Sequence, residues 1–161
     1  MIIPGRVALA RKVLTNLTSA EHQAQPCGID LTLKCIMNTT AGTSLSLNGS
    51  TQTPDATIEF PHEHVNITCG SYLVEFNELV DMPLDLMSQV LVRSSLFRSG
   101  VLINAGVMDS GYRGAVGAML QVVNPHGLRL LRDAKLAQIV FHQMREPVQG
   151  YNGMYQGRTF V

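Results

Sequence analysis

One stretch of the chain, residues 105–114, places a single carboxylate between an apolar approach and a glycine-containing turn. Residues 101–103 lead into it and residues 115–123 lead out of it with small and β-branched apolar side chains, which predicts two strands joined at the Ser-Gly pair. Such a hairpin would hold Asp109 and Tyr112 at its rim. An Asp before Ser-Gly is also a common turn former, and for the motif alone this structural role is favoured over a chemical one.

Residues 93–100 are a second segment that could bind a ligand, because hydroxyl and guanidinium groups follow an apolar strand there. Hydroxyls and arginines at the start of a helical turn can hold a phosphate, because free N–H groups and positive charge both face the anion. Gly100 can end that turn. Ser94 could equally be an ordinary helix N-cap, so both roles remain open.

The charge of the chain is unevenly distributed, although its formal total is zero. Residues 1–88 carry four Lys or Arg against nine Asp or Glu, a balance of −5, whereas residues 89–161 carry eight against three, a balance of +5. The basic half is therefore where an anionic ligand is expected. Its arginines are scattered, which favours a compact phosphate group over a nucleic-acid track.

Two isolated polar residues need separate interpretations. Asp30 stands at the entry to an alternating strand, where it is either a solvent-facing residue or a polar support for a site, and the solvent-facing interpretation is favoured. Gln138 lies inside an apolar run, so its amide is expected to be hydrogen-bonded to a specific partner.

Histidines and cysteines give no metal or disulfide signature. His62 and His64 flank Glu63 and would share one face of a strand, but no third ligand is spaced to complete a metal site, so we expect two surface histidines. The cysteines are odd in number and form no C-x-x-C pair, which predicts buried, reduced thiols at Cys27, Cys35 and Cys69.

The elements that must position these residues are mostly strands. A helical stripe predicts one short helix within residues 6–17, and residues 38–57 read as a polar loop or hairpin tip. Many short strands with frequent turns predict a mainly β fold, a sandwich or jelly-roll-like barrel with one or two short helices. We assign residues 1–148 to this barrel and residues 149–161 to a glycine-rich C-terminal tail.

Composition places the protein among intracellular, soluble globular proteins. It is 45% hydrophobic and 15% charged, with a mean hydropathy of +0.13. Charged residues interrupt the N-terminus where a signal peptide needs an apolar core, and no run reaches the ~18 apolar residues of a membrane helix. We therefore expect neither a membrane nor a nucleic acid as partner.

Taken in order, these segments resemble the trimeric dUTPase and dCTP deaminase superfamily over residues 25–159, and the resemblance implies a jelly-roll-like β-barrel of the dUTPase type. Each motif is weak by itself, whereas the ordered set is specific. The motifs are Pro26-Cys27-Gly28-Ile29-Asp30-Leu31, Arg93-Ser94-Ser95-Leu96, the stretch Ala105 to Gly114, Ala137-Gln138-Ile139-Val140, and Gly153-Met154-Tyr155-Gln156-Gly157-Arg158-Thr159.

The resemblance implies roles for these residues in binding dUTP. Asp109 would orient and deprotonate the water that attacks the α-phosphorus, and Tyr112 would pack under the deoxyribose. The other implied substrate contacts are Asn104, Ala105, Gly106 and Val107 at the uracil, Arg93, Ser94, Ser95 and Gln138 at the phosphates, Tyr155 near the base, and Gln156, Gly157, Arg158 and Thr159 near the outer phosphates.

A metal and an assembly are also implied. A magnesium ion would be coordinated mainly by the triphosphate and water, with Asp30 in its outer shell. Members of this superfamily are usually homotrimers, in which one chain supplies the hairpin, a second the segments around Asp30, Arg93 and Gln138, and a third the tail.

One position favours one reaction over the other. In the deaminase pattern a glutamate stands ten residues after the hairpin aspartate, and this chain has Met119 there. A thioether cannot shuttle the protons that deamination requires. The sequence therefore predicts a dUTP diphosphatase, with a dCTP deaminase, monofunctional or bifunctional, or a non-catalytic nucleotide-binding protein as alternatives.

Overall fold

The computed structural model describes residues 1–39, 44–46, 49–51, 55–58 and 63–161, and the side chains of 1–39, 57–58 and 63–161. The described helices are α1 (Gly5–Ala10), α2 (Ala20–Gln23) and α3 (Ser94–Phe97). The described strands are β1 (Ile2–Ile3), β2 (Leu14–Thr15), β3 (Ala24–Gln25), β4 (Gly28–Thr39), β5 (Ser44–Ser46), β6 (Gly49–Thr51), β7 (Asp55–Ile58), β8 (His64–Ile67), β9 (Gly70–Asp81), β10 (Leu86–Val92), β11 (Val101–Asn104), β12 (Val107–Met108), β13 (Arg113–Val122), β14 (Leu128–Leu131) and β15 (Lys135–Gln143).

The long strand β4 joins two antiparallel layers into one curled sheet. Its first half pairs with β15 and its second half with β9, and the strand order across the sheet is β11-β13-β9-β4-β15-β10-β12. The register shifts near the crossing on both sides of β4, so the strand bends from one layer into the other. The expected mainly β, jelly-roll-like barrel with few short helices is confirmed.

The core lies between these layers and follows the two-residue period of the strands. In β13 the side chains of Val116, Ala118, Leu120 and Val122 are buried, whereas those between them point away from the core. Burying each of these Val and Leu side chains stabilises the fold by about 1.5–3 kcal/mol. This alternation leaves one face of β13 free to line a cleft.

The short N-terminal helix covers only the first half of the stripe over residues 6–17. It ends at Ala10, since Lys12 adopts a positive φ of 55° and Val13 accepts a hydrogen bond from the Asp81 N–H. The chain then forms β2 alongside β9. Tertiary pairing therefore outweighs the helical pattern in the second half of this segment.

The prediction of buried thiols is wrong for this chain. Cys27 and Cys69 are exposed and Cys35 is half-buried, and all three are unbridged. Burial, followed by the nearby Glu75 carboxylate, raises the pKa of the Cys35 thiol. His64 is half-buried at the start of β8, and His62 lies outside the described residues. Part of the polar run 38–57 forms β5, β6 and β7, and the rest also lies outside them.

None of the helices in the described part of the chain has the length and apolar character needed to cross a bilayer. The longest of them has six residues.

A buried polar network ties β9 to β4 and α2. Glu78 is 0% exposed, and its carboxylate accepts hydrogen bonds from Gln23 Nε2 at 2.6 Å, Thr32 Oγ1 at 2.6 Å and the Thr32 N–H at 3.0 Å. Burial raises the pKa of Glu78, and its hydrogen bonds only partly oppose that effect. Asn77 extends the network by donating to Thr32 Oγ1 and to Asp133 Oδ1.

The raised pKa of Glu78 predicts a pH dependence of stability. Because the folded chain holds this proton more tightly than the unfolded chain, the contribution of Glu78 is full below the unfolded pKa of about 4.3 and declines as pH rises through the folded pKa. In Glu78→Gln this component is absent. We expect the difference in free energy of unfolding, wild type minus variant, to fall with increasing pH in urea titrations, and a constant difference would contradict the assignment.

Candidate active site

A cleft of about 470 Å³ lies between the β11–β13 connection and the C-terminal tail. One wall is the outward face of β13, and the rim carries Asp109. Seven residues expected at the substrate from the sequence line this cleft: Ala105, Gly106, Val107, Asp109, Tyr112, Tyr155 and Arg158. Its other lining residues are Leu73, Met108, Ala115, Val116, Gly117, Ala118, Met119, Tyr151, Phe160 and Val161.

The connection that carries Asp109 is more elaborate than the predicted hairpin. β11 and β13 pair in antiparallel fashion as expected, with Asn104 opposite Met119. Between them the chain crosses to the other layer, where β12 pairs with Ser88 and Gln89 of β10. Asp109 follows this crossing directly, so both layers of the sheet determine its position.

Hydrogen bonds within the turn and to Leu86 fix the turn after Asp109. The Tyr112 N–H donates to the Asp109 carbonyl at 3.1 Å, and the buried Ser110 hydroxyl donates to the Leu86 carbonyl at 2.7 Å. Gly111 has a φ of +78°, and a Cβ on it would come within 2.7 Å of Gly150. The Asp-Ser-Gly segment is therefore a true turn, and this turn holds the exposed Asp109 carboxylate at the cleft.

Tyr112 and Tyr151 form an aromatic corner at one end of the cleft. Their rings meet edge to face with centroids 5.6 Å apart, a favourable arrangement. The Tyr112 hydroxyl donates to the Ala115 carbonyl at 2.7 Å, which fixes the ring. Burial is the main cause that raises the pKa of Tyr112, so this phenol stays protonated and serves as a packing surface.

The tail lies along β13 of its own chain. Backbone bonds of 2.8 Å run from the Gly157 N–H to the Arg113 carbonyl and from the Ala115 N–H to the Arg158 carbonyl. The Gln156 side chain bridges the Arg113 N–H and the Gly111 carbonyl at 2.9 Å each. The Arg158 guanidinium stacks over the Tyr155 ring at 5.2 Å. Thr159 is exposed beside them.

The end of the tail fits a notch in the sheet. The Val161 N–H donates to Glu75 Oε2 at 3.1 Å, and Glu75 is buried and paired with Lys34. A Cβ on Gly117, which is opposite Glu75 in the ladder, would approach the Val161 side chain to 2.5 Å. Residue 117 therefore has to be small for Val161 to occupy this position.

Asn104, Gln156, Gly157 and Thr159 do not line the cleft, and the other five expected site residues lie elsewhere, at and beside Asp30. Asp30 is 2% exposed, and its two oxygens lie 3.3 Å from Arg93 Nε and 3.3 Å from Lys135 Nζ. Gln25 Nε2 also donates to this carboxylate at 3.2 Å. The solvent-facing interpretation of Asp30 is therefore wrong, because two cations on neighbouring elements compensate its burial.

Ser94, Ser95 and Gln138 border the Asp30 cluster. Arg93 holds the N-cap position of α3 without a side-chain capping bond, so the interpretation of Ser94 as the N-cap is wrong. Ser94 and Ser95 are exposed. Gln138 lies between Asp30 and Leu91 in the sheet, and no side-chain hydrogen bond to its amide occurs among the described residues, contrary to expectation. Hydroxyl and amide groups beside two cations can bind an anion.

Within one chain the expected site residues therefore form two separate groups. One lines the cleft around Asp109, and the other, the Asp30 group, could bind phosphate. None of Asp30, Arg93, Ser94, Ser95 and Gln138 lines the cleft. Sequence reasoning missed Lys135, Tyr151, Phe160 and Val161. Lys135 stands three residues before Gln138 within the basic half of the chain, and this spacing was the available signal.

The donor set around Asp30 fits an outer-sphere role toward a metal ion. Among the described residues, no group of three or more His, Cys, Asp or Glu side chains could hold a metal directly. Magnesium commonly keeps several waters and binds through one or two carboxylates together with substrate phosphates. A single carboxylate is compatible with that arrangement, and the neighbouring Arg93 and Lys135 cations favour an anion beside it.

Comparison with known proteins gives a consistent result. The chain matches the dCTP deaminase-like family over residues 5–144. It is 37% identical over 151 residues to a "probable deoxyuridine 5′-triphosphate nucleotidohydrolase" of Methanosarcina barkeri, covering 91% of this chain and 88% of the relative. It is 31% identical to the deoxyuridine 5′-triphosphate nucleotidohydrolase of Methanocaldococcus jannaschii, covering 86% and 90%.

Among solved structures, the 2′-deoxycytidine 5′-triphosphate deaminase of Agrobacterium tumefaciens shares the fold with a TM-score of 0.66 and 19% identity. The match covers 87% of this chain and 47% of that structure.

Filling the notch is expected to release the end of the tail. In Gly117→Val the new side chain occupies the position of Val161, so the Val161 contact to Glu75 is lost. Losing one such hydrogen bond, worth about 1 kcal/mol, should speed amide exchange of residues 155–161 about fivefold in hydrogen–deuterium exchange. Gly106→Ala is the matched control, because no atom lies within 4 Å of a Cβ there. Equal exchange in both variants would contradict the notch.

Proposed function

This chain belongs to the dCTP deaminase-like family, and we propose that it is a dUTP diphosphatase that hydrolyses dUTP to dUMP and pyrophosphate. Relatives 31–37% identical over most of the chain carry the name of this activity. The observation that carries the choice of reaction is the cleft itself. Asp109 is the one carboxylate among its lining residues, and the position ten residues on presents the Met119 thioether.

Asp109 is proposed to act as general base. Its carboxylate takes a proton from a water whose oxygen attacks the α-phosphorus, the bond from that phosphorus to the α–β bridging oxygen breaks, and pyrophosphate leaves. A carboxylate at a cleft rim, exposed and fixed by an anchored turn, suits this role. Met119, 42% exposed on the cleft face, has no proton to transfer.

The two ends of the nucleotide are proposed to bind the two groups of residues. The Tyr112–Tyr151 corner would pack against the deoxyribose, and the backbone from Asn104 to Val107 would pair with the uracil edge. The triphosphate would be held by charge-assisted hydrogen bonds from Arg93 with Ser94, Ser95 and Gln138. Lys135 adds positive charge to this group.

Magnesium is the proposed cofactor. It would supply charge neutralisation on the triphosphate during attack. Asp30 would orient its coordinated waters, and Arg93 and Lys135 hold this carboxylate in place. The tail, with Tyr155, Gln156, Gly157, Arg158 and Thr159, would close over the bound nucleotide. Because dUTP is an intracellular metabolite, we infer that the protein acts inside the cell.

A homotrimer with shared sites is the proposed assembly. The Asp109 cleft and the Asp30 group are separate within one chain, which supports a site in which the cleft of one chain meets the Asp30 group of a neighbour. The tail lies on its own hairpin in the single chain, and its assignment to a third chain stays a prediction.

Replacement of Asp109 tests the general base. Asp109→Asn keeps size and shape but cannot accept the proton, so pyrophosphate release from dUTP with Mg²⁺ should fall at least ~100-fold. Asp85→Asn is the control, since it removes a partly exposed carboxylate paired with Arg11 outside the cleft. Circular dichroism should show both variants folded. Activity retained in Asp109→Asn would contradict the role of Asp109.

The family match also favours testing deamination, and the same assay does so. Products from dUTP and dCTP should be separated side by side by chromatography. We expect dUMP from dUTP and no uracil nucleotide from dCTP. Formation of dUTP or dUMP from dCTP would show a deaminase and overturn the inference from Met119, and tight dUTP binding without turnover would indicate a binding protein.

Subunit mixing tests the shared site. Asp109→Asn and Arg93→Ala chains are each expected to be inactive, but refolding them together in equal amounts allows sites that combine an intact Asp109 from one chain with an intact Arg93 from another. With random assembly, about a quarter of such two-chain sites would be intact. Recovery of pyrophosphate release in the mixture is the expected result, and no recovery would place both groups in one chain's site.

A further inference from the structure

Glu78 is a fully buried carboxylate that lies in neither the cleft nor the set of groups that touch Asp30. It stands on β9. Its two oxygens accept three hydrogen bonds, from Gln23 and from the backbone and hydroxyl of Thr32. A buried network of satisfied hydrogen bonds fixes the relative positions of Glu78, Gln23 and Thr32.

The bonds to Thr32 act where β4 changes partners. Leu31 is still opposite Ala137 of β15, whereas Leu33 is already opposite Phe76 of β9. Thr32, between them, is still opposite Lys135 of β15 across a register shift, and its N–H donates to Glu78 Oε2 at 3.0 Å. Glu78 thus holds the β4 backbone at the bend, where the ladder to β15 is irregular.

Gln23 carries the same constraint to Asp30. Its Nε2 donates both to Glu78 Oε1 at 2.6 Å and to the Asp30 carbonyl at 2.8 Å. Its Oε1 accepts from the Ser19 N–H at 2.8 Å, so the amide is fully oriented. Glu78 therefore holds the backbone on both sides of Leu31. It bonds directly to the Thr32 N–H, and it reaches the Asp30 carbonyl through the Gln23 amide.

We propose that Glu78, acting through Gln23 and Thr32, is a positioning residue that holds the Asp30 carboxylate between Arg93 and Lys135 for the magnesium–triphosphate end of the substrate. The inference rests on the proposed function. Each Asp30 oxygen lies 3.3 Å from one cation, so a displacement of the Asp30 backbone would lengthen one or both of these ion pairs. The positive charge offered to a triphosphate and the orientation of metal-bound water would change with it.

Two variants disrupt the hydrogen bonds that link Glu78 to Asp30 and leave Asp30, Arg93 and Lys135 unchanged. In Glu78→Gln, whichever way the amide is turned, its NH₂ meets an N–H donor, either Gln23 Nε2 or the Thr32 backbone. Gln23→Met keeps volume but removes the bond to the Asp30 carbonyl and leaves Thr32 bonded to Glu78. Glu21→Gln is the matched control, since it removes an exposed carboxylate from the same short helix, α2.

The measurement is binding by calorimetry, with the non-hydrolysable α,β-imido analogue of dUTP titrated with and without Mg²⁺, and dUMP titrated alone. In wild type and Glu21→Gln, Mg²⁺ should strengthen binding of the analogue. In Glu78→Gln and Gln23→Met this gain should shrink about tenfold, while the dissociation constant of dUMP, which lacks the outer phosphates, stays within about twofold of wild type.

The outcomes separate the two proposals. A full magnesium gain in both variants, or an equal loss of affinity for dUMP and analogue, would overturn the positioning role, the second because it indicates general damage to the fold. If Glu78→Gln does not fold, Gln23→Met decides alone. A wild-type protein that binds neither analogue nor dUMP would overturn the proposed function, from which this role derives.

Discussion

The bend in β4 is the constraint on which the rest of the structure depends. A strand buried in both layers cannot leave its polar backbone unpaired at the point where it changes neighbours, because each unpaired buried group costs about 1–3 kcal/mol. Here the Glu78 carboxylate and the Gln23 amide satisfy the backbone around residues 30–32. The same bend places Asp30 in the β15 layer, while β9 continues into the layer that carries the cleft.

Electrostatics explains why Asp30 can be buried at all. A lone buried carboxylate would be strongly disfavoured, whereas one with two cations and an amide donor is compensated. Two cations sharing one carboxylate still leave a net positive charge, beside exposed hydroxyls at Ser94 and Ser95. The group is therefore stable without an anion and yet suited to receive one.

The shape of the cleft depends instead on small residues, which allow the C-terminal tail to pack closely against the sheet. Gly111 lets residue 150 approach the turn after Asp109, and Gly117 lets Val161 settle against Glu75. Backbone bonds from Arg113 and Ala115 then add the tail to β13 as a short extra segment. The aromatic rings of Tyr112 and Tyr151 meet because the chain returns at this point, which packs the tail against the Asp109 turn.

The sequence by itself determined the class of fold, seven of the residues at the Asp109 cleft and the choice of hydrolysis over deamination. These depend on local features: two-residue alternation in β13, a Ser-Gly turn after Asp109, and the identity of residue 119. Only the tertiary structure decided the burial of Asp30, the end of the first helix at Ala10 and the partnership of Lys135. It also decided the crossing of residues 107–108 to β10. The physical reason is that burial, ion pairing and strand exchange depend on neighbours distant in the chain, and Asp30 meets Arg93 and Lys135 only after the sheet has curled.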